Sequence, residues 1–285
     1  MGTLYVVGTP IGNLNDITFR ALDVLKNVDY IACEDTRQSL KLLNHYDIKK
    51  KLVAYHKFNE NNKSDPIIDD LRKGMDIAII TDAGTPCISD PGYILIKKAH
   101  ENNINVIAIP GASAVVSSLS VSGLDTKQFS FIGFLPKENS KIKEEINKML
   151  NSSINTFVLY ESPKRLVKLV GKLVEHFPNS KIYIASDLTK IHERGFFGNI
   201  LEVYNQIQND KDIEKGEYAV ILEKEDNIDS GIDVDTNMSL ESKLVDLMVK
   251  EKITLKDAIT ELSKKEKISK NEIYNASLNL KNLIK

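Results

Sequence analysis

Residues 77–101 read IAIITDAGTPCISDPGYILIKKAHE: a short apolar run, a loop of small residues and prolines from Thr81 to Gly92, and an amphipathic segment. An apolar run of four residues followed by a helix-length segment predicts a strand–loop–helix unit. The same order recurs through the first half of the chain, and this repetition predicts a largely parallel sheet in an α/β fold. The other units pair Leu4 to Val7 with Ile17 to Lys26, Tyr30 to Cys33 with Gln38 to Tyr46, and Val106 to Ile109 with Ala112 to Val121.

The pattern changes near Phe131 to Pro136, where glycine and proline punctuate the chain. We therefore predict a first α/β domain over residues 1–135 and a second over 136–222. Within the second domain, the periodicity predicts helices over 139–150, 163–176 and 200–208, and strands over 156–160, 181–185, 196–198 and 218–222.

Charge is unevenly distributed, although the net charge is only −2. Residues 1–222 hold 27 basic and 27 acidic side chains, whereas residues 223–235 hold six acids and one lysine. The polar stretch 223–239 shows no apolar period, so it is predicted to be an acidic linker.

A basic helical extension is predicted over residues 240–285. Its apolar face is formed by Leu255, Ala258, Ile259 and Leu262, and the S-x-x-E pattern at 269–272 predicts the start of another helix. Two interpretations stay open: a helix-turn-helix-like module that contacts nucleic acid, or a cap that packs on the body.

The composition is that of an ordinary folded protein, with 285 residues, 42% apolar and 27% charged. Cys33 and Cys87 have no CxxC spacing, which argues against a disulfide framework or a zinc site. The N-terminus lacks the features of a signal peptide, and the uncharged stretch 102–124 is interrupted by Pro110 and Gly111. We therefore expect a cytoplasmic protein with no membrane span.

Three loops after predicted strands are rich in small residues and proline: Gly8 to Leu14, Thr81 to Gly92, and Pro110 to Ala114. Ligands of open α/β sheets bind beyond the carboxyl ends of the strands, and small residues let the backbone approach them closely. Together the loops predict one ligand pocket.

The motifs of several common sites are missing. The first loop does not fit G-x-G-x-x-G, the chain has no G-x-x-x-x-G-K-[ST], and residues 111–115 lack the second glycine of G-x-S-x-G. The five histidines show no metal-ligand spacing, so no metal is predicted.

Seven motifs, spread over roughly residues 3–222, resemble those of the tetrapyrrole-methylase superfamily, and within it the branch that methylates ribosomal RNA ribose at cytidine. They are VGTPIGNL (7–14), CEDTR (33–37), TDAGTPCISDPG (81–92), PGASA (110–114), GFLP (133–136), YESPKRL (160–166) and DLTKIHE (187–193). Relatives that act on small tetrapyrroles usually carry an acidic residue in the first loop where this chain has Asn13, and this departure favours the RNA branch.

The resemblance implies a two-domain α/β fold with a small C-terminal helical extension, S-adenosylmethionine held between the domains, and no metal. It also implies a cytoplasmic homodimer whose substrate is the ribose 2′-hydroxyl of a decoding-centre cytidine in 16S rRNA, within the 30S subunit. Carried over by motif, the cofactor contacts are Pro10, Ala83, Gly84, Thr85, Ile88, Ser113, Ala114 and Leu188.

Methyl transfer to a hydroxyl requires a general base within hydrogen-bond reach. Asp35 beside Arg37, and Lys190 beside Glu193, are the preferred catalytic candidates, because a carboxylate near a cation or a desolvated lysine can be tuned for proton transfer. Ion pairs that only order the cleft explain the same residues equally well. The ionisable residues of the motifs also include Glu34 and Glu161.

Arg37, Lys164 and Arg165 are assigned to substrate phosphates, since RNA is held largely through its backbone. On this assignment, Arg165→Ala should weaken methylation of ribosomal substrate and leave cofactor affinity nearly unchanged. Two rival functions stay open: a superfamily enzyme acting on a small molecule or a protein side chain, and a ligand-sensing regulator that binds nucleic acid.

Overall fold

A computed structural model describes residues 1–225, 239–266 and 268–283. The chain divides into two compact units, with the division after residue 226. Most of the predicted linker 223–239, together with Lys267, lies outside the described residues. The first residue of the predicted linker, Glu223, is described: it is the last residue of a strand and accepts a hydrogen bond from the Asp125 amide at 2.7 Å.

The first half of the larger unit is a parallel sheet of strand order β3-β2-β4-β1-β5. Because all five strands run the same way, their carboxyl ends lie along one edge. Every residue of β2 and β4 is buried, as expected for central strands covered on both faces by helices. The elements are β1 (Thr3–Val7), α1 (Phe19–Asn27), β2 (Tyr30–Cys33), α2 (Thr36–His45), β3 (Lys51–Ala54), α3 (Glu60–Arg72), β4 (Ile77–Ile80), α4 (Tyr93–Glu101), β5 (Asn105–Ile109) and α5 (Ala114–Val121).

The second half is a mixed sheet of order β6-β7-β10-β8-β9. β6 pairs in parallel with β7, and the remaining pairs are antiparallel. Consequently β6, β7 and β8 point their carboxyl ends one way, and β10 points its amino end the same way. The elements are β6 (Phe129–Phe134), α6 (Asn139–Leu150), β7 (Thr156–Glu161), α7 (Pro163–His176), β8 (Lys181–Ser186), β9 (Arg194–Asn199), α8 (Ile200–Gln208) and β10 (Tyr218–Glu223).

The helix α5 connects the two sheets. It follows β5 in the chain, yet Val115 and Leu119 pack in one buried cluster with Val158 of β7 and Ile221 of β10. This contact explains why the two sheets form a single compact unit.

The predicted α/β class and the order of its elements are confirmed, with two differences. The sequence pattern predicts no element over residues 47–76, where the structure has β3 and α3. β3 is only four residues long, and Pro66 inside α3 removes a helical hydrogen bond and obscures the pattern. In addition, β6 belongs to the second sheet although it precedes residue 135, so the chain passes between sheets before Phe129. The division into domains at 135 and 222 stays a prediction.

The smaller unit contains α9 (Leu240–Glu251), α10 (Leu255–Glu266) and α11 (Lys270–Leu283). Its core is formed by Leu244, Ala258, Leu262 and Ile273, and the Glu272 amide donates to Ser269 Oγ at 3.3 Å. The predicted apolar face and helix start are therefore present. No helix in the described part of the chain combines the length and apolar character needed to cross a bilayer.

Candidate active site

A cleft of about 480 Å³ is lined by loops from both sheets of the larger unit. The first sheet contributes the loops after β1, β4 and β5, which are the three loops singled out in the sequence. The second sheet contributes the ends of β6 and β7, the loop after β8 and the start of β10. The predicted convergence of the three loops is therefore confirmed.

Backbone hydrogen bonds fasten the first two loops together. The Thr9 amide donates to the Gly84 carbonyl at 2.8 Å, and the Gly84 amide donates back to Thr9 at 3.2 Å. The Thr9 hydroxyl, which is buried, donates to the Thr81 carbonyl at 3.1 Å. These bonds satisfy the loop backbone internally and give the cleft a preformed wall.

Gly12 brings the first loop against the second sheet. A Cβ at this position would lie 2.8 Å from the Leu188 carbonyl oxygen and 2.9 Å from Thr189 Oγ1. Only glycine permits this approach, and it places Leu188 opposite the loops of the first sheet.

Seven of the eight residues predicted to bind the cofactor line the cleft, and one does not. Pro10 is buried, and its neighbour Ile11 lines the cleft instead. The seven are Ala83, Gly84, Thr85, Ile88, Ser113, Ala114 and Leu188.

Asp82 and Asp90 give the cleft a partly acidic wall. Burial, followed by the nearby charge of Glu34, raises the pKa of Asp90 to about 6. Glu34 itself accepts a hydrogen bond from the Thr81 hydroxyl at 3.0 Å, and Asp82 accepts one from the Asp35 amide at 3.2 Å.

Asp35 begins α2 as its N-cap, accepting a hydrogen bond from the Arg37 amide at 2.8 Å. The Arg37 guanidinium also holds both carboxylate oxygens, at 3.0 and 2.6 Å. Hydrogen bonds from Arg37 lower the pKa of Asp35 to about 2. The Arg37 side chain remains 86% exposed to solvent.

Lys190 and Glu193 lie in the loop after β8 and make separate contacts. Lys190 Nζ pairs with Asp187 at 2.7 Å and Glu217 at 3.0 Å, while Glu193 accepts a hydrogen bond from the Thr189 amide at 2.6 Å. Burial lowers the pKa of Lys190, but the hydrogen bonds to Asp187 and Glu217 outweigh it, so the pKa is raised overall. Lys190 is thus a cation at neutral pH.

Arg165 is engaged inside the protein. Its Nη2 donates to the carbonyls of Leu135 and Pro136 at 3.0 and 3.1 Å, and lies 3.1 Å from Glu161 Oε2. The Glu161 side chain is only 1% exposed and lines the cleft. Within the described residues, its Oε2 has this ion pair but no well-aligned hydrogen bond. Neighbouring Lys164, in contrast, is exposed.

Several cleft residues were not among the predicted contacts. Phe134, Tyr160, Ser162 and Pro163 fall in motifs that the sequence already marked, so those motifs carried the signal. No sequence signal marked Glu217, Tyr218 and Ala219. Because β10 is antiparallel to β7, its amino end lies at the cleft, and the expectation that ligands bind at the carboxyl ends of strands does not include it. Ile11, Thr81, Asp82, Ser89 and Asp90 belong to the loops themselves.

In the part of the chain that the structure describes, no group of three or more His, Cys, Asp or Glu side chains is arranged to hold a metal ion.

The cleft lies between a parallel sheet and a mixed sheet and is walled by glycine- and proline-rich loops. This arrangement agrees with the family that the motifs indicate. A family model described as Tetrapyrrole (Corrin/Porphyrin) Methylases matches residues 3–203. The chain belongs to the tetrapyrrole methylase family, and the resemblance inferred from its motifs is confirmed.

Curated relatives of this chain carry the name ribosomal RNA small subunit methyltransferase I. The relative from Halalkalibacterium halodurans is 45% identical over 222 residues, covering 78% of this chain and 76% of its own. The relative from Bacillus subtilis is 36% identical over 277 residues, covering 97% and 94%.

Solved structures show the same fold at low sequence identity. A diphthine synthase matches with a TM-score of 0.59 at 11% identity, covering 79% of this chain and 90% of its own. A uroporphyrin-III-C-methyltransferase from Thermus thermophilus matches with a TM-score of 0.55 at 19% identity, covering 79% and 95%.

Proposed function

We propose that this chain is an S-adenosylmethionine-dependent methyltransferase that methylates the ribose 2′-hydroxyl of a cytidine in the decoding centre of 16S rRNA. The proposed substrate is the assembled small ribosomal subunit. The observation that carries the proposal is the convergence of residues 8–14, 81–92 and 110–114 on one cleft. The names of the relatives support the choice of ribosomal RNA.

The cleft fits an adenosyl cofactor in size and chemistry. Its volume lies within the range of about 300–1,000 Å³ that is usual for small-molecule sites. Ala83, Ile88 and Leu188 supply apolar walls for an adenine, while Thr85 and Ser113 supply hydroxyls. The acidic wall suits a sulfonium, since opposite charges attract most strongly where water is partly excluded. The bound cofactor would supply a methyl group on a cationic sulfur, and the leaving group would be a neutral thioether.

The protein's main contribution is to position the acceptor hydroxyl and exclude water, because methyl transfer is an in-line displacement. Phe134 and Tyr160 line the cleft with their ring centroids 5.6 Å apart, and the Phe134 side chain is 59% exposed. We propose that this aromatic edge stacks on the nucleobase that is turned out of the RNA.

Exposed Arg37 and Lys164 are the proposed contacts to substrate phosphates. The same role for Arg165 stays a prediction, and it competes with the three contacts that this side chain makes inside the protein. The catalytic roles of Asp35, Lys190 and Glu193 also stay predictions. Each of these side chains is held by the fixed contacts described above, which suit a group that orders the cleft.

The proposal includes a homodimer that works in the cytoplasm, where its ribosomal substrate is found. For α9–α11, both interpretations stay open: a module that contacts nucleic acid, and a cap that packs on the body. In residues 243–285 ten lysines stand against six acids, which favours an anionic partner for this unit.

Methyl transfer from radiolabelled S-adenosylmethionine tests the function directly. The purified full-length protein would be incubated with small subunits from a strain that lacks the enzyme, and in parallel with naked 16S rRNA and tRNA. We expect label at one ribose of 16S rRNA in assembled subunits. Labelling of a small molecule or a protein would favour a different acceptor, and cofactor binding without any transfer would favour a ligand-sensing regulator.

A further inference from the structure

We propose that Asp90 is the general base that accepts the proton of the 2′-hydroxyl. This assignment rests on the proposed function, and it deepens that function by naming a catalytic residue. It begins from the placement of Asp90 in the cleft wall, on the loop after β4.

The loop around Asp90 is held in an unusual backbone conformation. Cys87 and Ser89 have φ angles of 73° and 71°, the left-handed region that side-chain-bearing residues rarely adopt. Such residues persist only where the surrounding structure holds them, and they cluster at functional sites. Here the Gly92 amide donates to Glu60 Oε1 at 2.7 Å and anchors the end of the loop.

The tip of this loop reaches the second sheet. A Cβ built on Gly133 of β6 would lie 3.2 Å from Ser89 Oγ, which puts the residue before Asp90 against that strand. Asp90 therefore lies where this loop meets the second sheet, and its charge acts on Tyr160 of β7.

The ionisable groups around Asp90 keep its carboxyl weakly acidic. Glu34 follows β2, Asp82 shares the loop, Cys87 lies on the same turn, and Tyr160 comes from β7. None of these neighbours carries a positive charge. Half-burial and the two carboxylates outweigh a hydrogen bond with the Thr81 hydroxyl and raise the pKa of Asp90 to about 6, a value suited to proton transfer near neutral pH.

Three other acidic side chains of the motifs are less available. Arg37 holds both oxygens of Asp35, and its hydrogen bonds lower the pKa of that carboxyl to about 2. Glu161 is paired with Arg165, and Glu193 accepts the Thr189 amide. Within the described residues, Asp90 lines the cleft without an opposing cation in its surroundings.

In the proposed step, the bond between the ribose 2′-oxygen and the methyl carbon forms while the bond between that carbon and sulfur breaks. The electron pair of the broken bond stays on sulfur, and the 2′-hydroxyl proton passes to an Asp90 carboxylate oxygen. The carboxylic acid then releases that proton to solvent, which restores the base.

Single-turnover methylation of small subunits between pH 5.5 and 8 tests this role. For the wild type, we expect the rate to rise with pH, with a midpoint near pH 6, and to level off above about pH 7. For Asp90→Asn, we expect a rate at least ~100-fold lower with the pH dependence lost. Asp90→Glu should keep the dependence at a reduced rate. Glu34→Gln is the matched control: it removes a neighbouring negative charge, so it should shift the midpoint to lower pH and keep the dependence.

Two measurements without turnover accompany the rates. Calorimetry should show that Asp90→Asn binds S-adenosylmethionine within about tenfold of the wild type, which separates proton transfer from cofactor binding. Carbon-detected NMR of the side-chain carboxyls should show a resonance that titrates near pH 6 and disappears in Asp90→Asn.

The outcomes distinguish failure of the role proposed for Asp90 from failure of the proposed function. If the wild type methylates the subunit and Asp90→Asn keeps its rate and pH profile, the role of Asp90 is overturned and the function stands. If Asp35→Asn or Glu193→Gln abolishes the pH dependence instead, the base is that residue. If the wild type methylates no RNA, both proposals fall.

Discussion

Gly8 and Gly111 lie backbone against backbone: a Cβ built on Gly111 would be 2.7 Å from both the carbonyl carbon and the carbonyl oxygen of Gly8. The Gly8 amide also donates to the Ile109 carbonyl at 3.0 Å, continuing the pairing of β1 with β5 into the loops. The backbones of the first and third loops are therefore in direct contact. Their contact fixes the spacing between the first and third loops.

Gly111→Ala should force these two loops apart. Because the nearest atoms are backbone and cannot turn aside, we expect a loss of about 1–3 kcal/mol in the free energy of unfolding, as for overpacked cores, and weaker S-adenosylmethionine binding. Urea unfolding and calorimetry measure the two effects. Gly171→Ala is the matched control, since its Cβ would meet only the Tyr204 side chain at 3.0 Å, in the middle of α7. Equal effects of both changes would contradict the prediction.

Arg165→Ala and Lys164→Ala, at adjacent positions of α7, should behave differently. Loss of Arg165 leaves the buried Glu161 carboxylate without its ion pair, so we expect destabilisation of about 3 kcal/mol. Lys164→Ala should change the free energy of unfolding little and reduce the affinity for small subunits, because that side chain is exposed. Thermal unfolding and subunit-binding assays measure this contrast. Arg165→Ala that stays fully stable but binds the subunit weakly would restore its predicted role as a phosphate contact.

Asp35→Ala should lower stability in a pH-dependent way. The pKa of Asp35 is depressed to about 2 by Arg37, below the value of about 3.9 expected in the unfolded chain. Its contribution is therefore fully present above about pH 4 and is lost as the pH falls from there towards 2. Urea unfolding at pH 7, 5 and 3.5 should show a constant difference from the wild type at the first two values and a smaller one at the third. Asp35→Asn keeps a side chain that can cap the helix, so its loss in the free energy of unfolding should be smaller than that of Asp35→Ala.

Asp90 should have the opposite effect on stability. Its pKa of about 6 lies above that of the unfolded chain, so the folded state binds the proton more tightly. The stability that this provides is present below about pH 4 and is lost as the pH rises through 6. Asp90→Asn should therefore gain about 1 kcal/mol on the wild type between pH 4 and pH 8, once solvent screening of a half-buried group is allowed for. A constant difference across that range would contradict the raised pKa.

Local pattern was enough to place most of the elements. The alternation of apolar runs and amphipathic segments predicted β1, β2, β4 and β5 with their helices, because side-chain periodicity follows directly from backbone geometry. The pattern failed at α3, because Pro66 inside the helix obscures its sequence signal, and at β3, because this edge strand is only four residues long. The pattern also predicted the boundary between the two domains after β6, although β6 belongs to the second sheet. No local feature of the sequence distinguishes a strand of one sheet from a strand of the next.

For the cleft, the sequence by itself determined the three loops, because glycine permits close backbone contacts and proline fixes φ wherever these residues occur. The motifs in and around these loops also carried the resemblance to the tetrapyrrole methylase family, to which the chain belongs. Only the tertiary structure decided what each charged side chain does. Asp35 and Arg37 are neighbours in sequence as in space, but Arg165 reaches Leu135, and Glu34 approaches Asp90 from the segment after β2. The pKa of a carboxyl depends on burial and on charges a few ångströms away, and the chain order does not record those distances.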